Sequence, residues 1–198
     1  MDKGSQSTSQ EQLLREITKI LQKSKIPYMV TGALSVIFYS KPRFSHDIDF
    51  VIEAQKKDIE KVKKAFASLP HDFIVQEDLI EDAIVNQLNF NILHLPTMIK
   101  LDFFLLKDDK FDRVSFNRRE NVTAFGQKMS FTSPEDTILK KLLWYIDTKI
   151  EKHLIDAAFV YQIQKANLDK KYLFNWAKKH NTTKLLREIA LINLEPHY

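Results

Sequence analysis

The spacing of apolar residues along the chain alternates between helical and strand periods. Leu13, Leu14, Ile17, Ile20 and Leu21 recur at helical intervals and predict an amphipathic helix starting near Glu11, with Ser9 as its cap. Residues 1–9 are small and polar and predict a disordered tail. Pro27 opens a strand through about Thr31, and the apolar run Ala33–Tyr39 predicts a short buried helix. Asp47–Ile52 reads as a strand. Lys56–Leu69 carries Ile59, Val62, Phe66 and Leu69 on one helical face and lysines on the other. The stretch that follows predicts β structure, with strands at His71–Gln76, Asn89–His94 and Met98–Leu106. Asn121–Phe125 and Gln127–Phe131 flank Gly126 as a hairpin.

The pattern changes after Phe131. Ser133-Pro134-Glu135-Asp136 joins a capping serine, a proline in the first helical position and two acids at the positive end of the helix dipole. A helix to about Lys149 is expected, followed by helices over His153–Lys165, Asp169–His180 and Thr183–Leu191. The sequence therefore predicts an α/β core at residues 10–131 and a C-terminal helical subdomain at residues 132–198.

Composition narrows the classes. With 198 residues and 44% hydrophobic content, the chain can form one large or two small globular domains. It has no cysteine, which excludes disulfides and thiolate metal sites. There is no long uncharged apolar segment, and the polar start lacks the apolar region of a signal peptide. A cytoplasmic protein with no membrane partner is expected. The net charge of +4 and pI near 9.0 suit an anionic partner such as a nucleotide or RNA, and equally an ordinary lysine-rich surface.

The chemistry concentrates in Arg43-Phe44-Ser45-His46-Asp47-Ile48-Asp49. Side chains alternate along a strand, so Asp47 and Asp49 share a face, about 7 Å apart. The flanking Ile48, Phe50, Val51 and Ile52 predict a buried strand, where carboxylates require a partner. A hard divalent cation such as Mg²⁺ would relieve their repulsion. Asp102 is a lone acid in the apolar strand around Leu101 and Phe103. It reads either as a third ligand of a two-ion site or as a partner of Lys100. Gly32, between a strand and a helix, stands where backbone N–H groups cradle phosphate. Arg43 fits a phosphate grip or a solvated loop; Ser45 and His46 read as solvent-facing or structural. Of Lys140 and Lys141, one is expected to face the α/β core and the other solvent, with an exposed lysine pair as the alternative. No Walker motif, Gly-x-Gly-x-x-Gly or nucleophilic triad is present.

Taken together, a strand, Gly32, a short helix, Asp47-x-Asp49 on a strand and a later strand acid resemble the polymerase-β-like nucleotidyltransferase superfamily. Tyr28–Glu53 is most similar to the small bacterial AbiEii/MenA-like nucleotidyltransferases. Their Arg-x-Thr/Ser-x-Asp-Ile-Asp run is matched by Arg43 to Asp49. Their Ser-Pro-Glu-Asp helix start and later lysine are matched by Ser133–Asp136 and Lys141, and their later aspartate by Asp156. The resemblance spans about residues 26–165. One departure is Ala33, where glycine or serine is usual; alanine keeps the backbone N–H but lacks a hydroxyl.

The resemblance implies an α/β (α+β) fold, a mixed β-sheet core with a C-terminal helical bundle. It also implies Mg²⁺-dependent transfer of a nucleoside monophosphate from an NTP to an acceptor hydroxyl on tRNA, protein or a small molecule, with release of pyrophosphate. Asp47, Asp49 and Asp102 would hold two Mg²⁺, with Mn²⁺ able to substitute. Asp102 would help deprotonate the acceptor. Gly32 and Ala33 would present N–H groups to the triphosphate, and Arg43 and Lys141 would neutralise it. The alternative is a non-catalytic nucleotide-, RNA- or protein-binding module on the same scaffold, which Ala33 favours and the three retained acids oppose.

Overall fold

The computed structural model describes residues 10–43 and 45–192. The expected tail at 1–9 with its cap Ser9, Phe44 of the acidic segment and residues 193–198 lie outside them. The chain divides into two compact units, residues 1–33 with 44–131 and residues 34–43 with 132–198.

The first unit is built on seven strands: β1 (Tyr28–Thr31), β2 (Asp47–Ile52), β3 (Phe73–Ile74), β4 (Asn89–His94), β5 (Ile99–Leu105), β6 (Glu120–Ala124) and β7 (Gln127–Phe131). They form one mixed sheet in the order β3-β4-β5-β2-β1-β7-β6. β2 runs parallel to β5, and β1 parallel to β7. The β6–β7 hairpin turns on Phe125 at φ 52° and Gly126 at φ 74°. Two positive φ values in a two-residue loop match the right-handed twist of the strands it joins.

Alternation decides the faces. Ile48, Phe50 and Ile52 of β2 are fully buried, and so are Leu101 and Phe103 of β5. On that face Phe103 stacks between Phe50, at 5.0 Å, and Phe90 of β4, at 4.9 Å. Helix α1 (Gln10–Lys23) and helix α3 (Ile59–Ala67) cover it. Phe66 of α3 packs edge-on against Phe103 at 4.8 Å, and Gln22 of α1 donates to the Tyr28 hydroxyl at 2.9 Å.

Between the strands of the β-rich middle lie two helices the sequence reading did not assign, α4 (Glu77–Asn86) and α5 (Lys110–Asn117). In α4, Ile80, Ala83 and Ile84 are buried at helical spacing. In α5, the Asp109 carboxylate caps the helix by accepting from the N–H groups of Phe111 and Asp112, and Phe111, Ser115 and Phe116 are buried. The strand expected at His71–Gln76 shrinks to the two-residue edge strand β3.

Helix α2 (Gly32–Tyr39) follows β1, and its Leu34–Tyr39 portion belongs to the second unit. There it joins α6 (Pro134–Thr148), α7 (Glu151–Gln164), α8 (Lys170–Lys179) and α9 (Thr183–Leu191). The core includes Ile138, Leu139, Leu142, Ala157, Val160, Leu173 and Ile189. Ser133 caps α6 as the sequence predicts, accepting from the Asp136 N–H. The two acids after Pro134 are buried. Glu135 accepts from the Asp169 N–H at 2.8 Å, and Asp136 accepts from the Tyr172 hydroxyl at 2.6 Å. Among the described residues no helix is long and apolar enough to cross a membrane.

Candidate active site

In the first unit, strand register draws the acids together. Asp49 stands opposite Asp102 on β5 and opposite Thr31 on β1, and Asp102 stands opposite Asn91 on β4. Residues in register share a face. A polar row Thr31–Asp49–Asp102–Asn91 therefore crosses four strands on the face away from the aromatic core. Asp47, two residues before Asp49, lies on the same face opposite Lys100. Further along this face Met29, Leu106 and Phe116 of α5 pack together, with Val51 against them.

Burial differs among the three acids. Asp102 is 7% exposed, Asp49 is half-buried and Asp47 is exposed. The burial expected of the whole strand holds only for its even-numbered residues, because Ile48, Phe50 and Ile52 all point to the other face.

The Lys100 amine lies 2.9 Å from Asp102 Oδ2, the alternative pairing the sequence allowed for that acid. Its pKa is held above the ordinary lysine value. The hydrogen bond to Asp102 is the largest cause, partial desolvation opposes it, and the charges of Asp102, Asp47 and Asp49 add to it. Among the described residues no three acidic or imidazole groups already stand as a metal cage. The donor chemistry nonetheless fits a hard divalent cation: three carboxylates on one face whose field already attracts an ammonium.

Gly32 begins α2 at φ +63°. A Cβ placed there would collide with the Asp49 carboxylate and lie 2.8 Å from Asp49 Cβ. Glycine is thus required twice, by the left-handed backbone and by the approach of Asp49. Ala33 follows it in the first turn, half-buried, where backbone N–H groups lack intrahelical acceptors.

The second unit holds the two expected cations. Arg43 Nη2 and Lys141 Nζ each lie 2.9 Å from the same oxygen, Oδ2 of Asp156. Asp156 and Lys141 are buried, and the Arg43 side chain is 23% exposed. The Lys141 amine also sits 5.0 Å from the centre of the Trp144 ring. His153 packs edge-on against Trp144, and its buried Nδ1 has no hydrogen-bond partner among the described residues. Its pKa is lowered, first by burial and then by the Lys141 charge; Asp156 opposes, and Lys152 and Arg43 lower it further. Lys140 is half-buried, Ser45 half-buried and His46 exposed.

Sequence reasoning found Asp156 only through resemblance and left Thr31, Asn91 and His153 unmarked. Lys100 was marked by its position two residues before Asp102, which places both on one face.

No curated protein sequence matches the chain. The solution structure of the antibiotic-resistance factor ANT(2'')-Ia is similar, with a TM-score of 0.60 at 13% identity over 92% of this chain and 97% of that one. An antigenic nucleotidyltransferase-like protein from Paracoccidioides brasiliensis gives 0.60 at 18% identity over 90% and 87%. The lincosamide antibiotic adenylyltransferase LnuA, bound to lincomycin, gives 0.50 at 14% identity over 76% and 95%. At these identities the likeness is one of fold, the mixed-sheet nucleotidyltransferase α/β fold. The family model for the nucleotidyl transferase AbiEii toxin of type IV toxin–antitoxin systems matches residues 30–197, and the chain belongs to that family.

Proposed function

We propose that the protein is a metal-dependent nucleotidyltransferase, the toxin member of a toxin–antitoxin pair, that transfers a nucleoside monophosphate from an NTP to an acceptor hydroxyl. The observation that carries this reading is the pairing of Asp49 with Asp102 across β2 and β5, with Gly32 held against Asp49. Asp47, Asp49 and Asp102 would hold two Mg²⁺, or Mn²⁺ in their place. Bound there, the ions supply the positive charge that stabilises the reacting phosphate oxygens.

The chain's own groups do the rest. N–H groups at Gly32 and Ala33 bind the triphosphate. The acceptor oxygen bonds to the α-phosphorus, the bond to the β-phosphate oxygen breaks, and pyrophosphate leaves. Asp102 takes the proton of the acceptor hydroxyl. Arg43 and Lys141 supply positive charge to the triphosphate, and Asp156 positions both. Abundant NTP places the reaction in the cytoplasm.

The acceptor is RNA such as tRNA, a protein or a small molecule. A related fold has been solved with adenylyl-2''-tobramycin, a nucleotidylated small molecule. Incubation with each labelled NTP, Mg²⁺ and total cellular RNA or protein tests the proposal through label transfer and pyrophosphate release. Label on neither fraction, with no pyrophosphate, would sink it.

A second reading, a binding module without turnover, is favoured by the Lys100–Asp102 pair, which occupies the proposed proton acceptor. NTP binding by calorimetry without pyrophosphate release would select it.

A further inference from the structure

The polar row on the acid-bearing face of the sheet has two unlike ends. At one end Gly32 opens α2 at φ +63° against the Asp49 carboxylate. At the other end stands Asn91 of β4, in register with Asp102. With strands about 4.8 Å apart, Thr31 and Asn91 are separated by three spacings, about 14 Å. The strand itself does not call for an amide at this place. Asparagine is depleted in strands, and the burial of β4 comes from its neighbours Phe90 and Ile92 on the aromatic face. Asn91 is exposed, and its side chain makes no hydrogen bond among the described residues. Cβ atoms paired across antiparallel strands lie about 5 Å apart. The Asn91 amide and the Asp102 carboxylate can therefore meet one small group between them. The face is open around them: Asn89 is exposed, and Phe104, two residues beyond Asp102, is 37% exposed.

We infer that Asn91 is the residue that binds the acceptor hydroxyl beside Asp102 and orients it for attack. The inference rests on the transferase reading of this site. In-line chemistry fixes the order of groups along the row. In phosphoryl transfer the attacking and leaving oxygens lie on roughly opposite sides of the phosphorus. The leaving pyrophosphate belongs at the N–H groups of Gly32 and Ala33, and the α-phosphorus over Asp49 and Asp102. The attacking oxygen therefore enters from the Asn91 end. As its bond to phosphorus forms and the bond to the pyrophosphate oxygen breaks, its proton passes to Asp102. An asparagine amide offers both a donor and an acceptor. The Asn91 N–H donates to the reacting oxygen and holds it within reach of Asp102, while the carbonyl accepts from a second polar group of the acceptor. Asn91 thus acts on the acceptor and not on the NTP. Fixing the orientation of one reactant in this way lowers the barrier with no contact to the phosphates.

The chain has no cysteine, so Ala33→Cys and Asn91→Cys each carry a single thiol, one at each end of the row. Alkylation by N-ethylmaleimide in the presence of Mg²⁺ then maps the nucleotide without any turnover. At ten times its Kd, an NTP should slow alkylation of the Ala33→Cys thiol about tenfold, since only about a tenth of the sites stay free. It should leave the rate in Asn91→Cys unchanged. Shielding of the Asn91→Cys thiol by NTP, or of neither thiol, would overturn the inference. Glycerol serves as the acceptor probe for turnover. Asn91→Ala should raise KM for glycerol about tenfold, on the scale of one lost hydrogen bond, and leave KM for NTP unchanged. Asn91→Gln, which keeps the amide, should recover part of the loss. Equal rises in both KM values would assign Asn91 to the nucleotide or to the fold and overturn the inference, as would an unchanged KM for glycerol. Any of these outcomes in a protein that transfers label sinks this inference alone. Transfer by wild type to none of glycerol, RNA and protein sinks the transferase reading, and this inference with it.

Discussion

Asp49 and Asp102 face each other across parallel strands β2 and β5, and the Lys100 amine lies 2.9 Å from the Asp102 carboxylate. In metal-free protein that ammonium offsets the repulsion of the acids. Lys100→Met should therefore lower the melting temperature without metal and enlarge the stabilisation gained on adding Mg²⁺. Thermal melts with and without Mg²⁺ measure both. An unchanged Mg²⁺ response would show that Lys100 and the ion do not share the carboxylate field.

Asp49→Asn should preserve the fold and abolish nucleotidyl transfer, because asparagine keeps the shape and removes the charge. Its metal-free melting temperature should rise slightly through relief of repulsion with Asp47 and Asp102. Retention of full Mg²⁺-dependent stabilisation and activity would exclude Asp49 as a ligand.

Gly32→Ala should destabilise the protein by more than the ~1–2 kcal/mol that the left-handed backbone alone costs an alanine, since its Cβ also meets the Asp49 carboxylate. Denaturant unfolding reads the loss. Displacement of Asp49 should also weaken metal-dependent stabilisation.

Asp156→Ala leaves buried Lys141 and half-buried Arg43 without their shared anion. Breaking a buried pair in this way costs roughly 3–5 kcal/mol, measurable by urea unfolding. Arg43→Ala should instead weaken NTP binding by roughly 1–3 kcal/mol, the scale of a charge-assisted hydrogen bond, without removing metal binding. Calorimetry with NTP, and separately with Mg²⁺, distinguishes the two effects.

His153 gives stability a pH dependence on the acid side. Its folded-state pKa lies below the ordinary 6.5, so the unfolded chain takes up the proton first as the pH falls. Its contribution to stability is thus present above 6.5, declines as the pH drops through that value, and levels off below the folded pKa. His153→Phe should flatten this part of a melting-temperature profile recorded between about pH 8 and pH 5. An identical profile in the variant would place the titration elsewhere.

How legible the fold was depended on how local the signal is. The Asp47–Ile52 strand, the positive-φ hairpin at Gly126 and the Ser133 cap follow from neighbours in sequence, and all three are found. The helix α4 was missed because Gln76 is not a capping residue, and Ile80, Ala83 and Ile84 form too short a stripe to outweigh the surrounding β-prone residues. The helix α5 does carry a local signal, Asp109 as cap with Phe111 and Phe116 behind it, but over only eight residues. The pairing of Asp49 with Asp102 could only be anticipated, since register joins residues more than fifty positions apart. Thr31 and Asn91 entered the same row for that reason and bear no mark in sequence. Asp156 was legible only as an acid; that it serves two cations is a property of packing.

The buried acids of Ser133-Pro134-Glu135-Asp136 spend their lone pairs inside the second unit, on the start of α8 and on Tyr172. The tetrapeptide that helps make the family recognisable is therefore a fastening between helices and not a reagent. A descendant could lose Asp47, Asp49 and Asp102 and keep this segment intact, because unfolding rather than inactivity would follow its loss. Its presence in a chain reports that the scaffold holds together, and evidence of turnover has to be sought on the other side of the molecule's chemistry, at Asp47, Asp49 and Asp102.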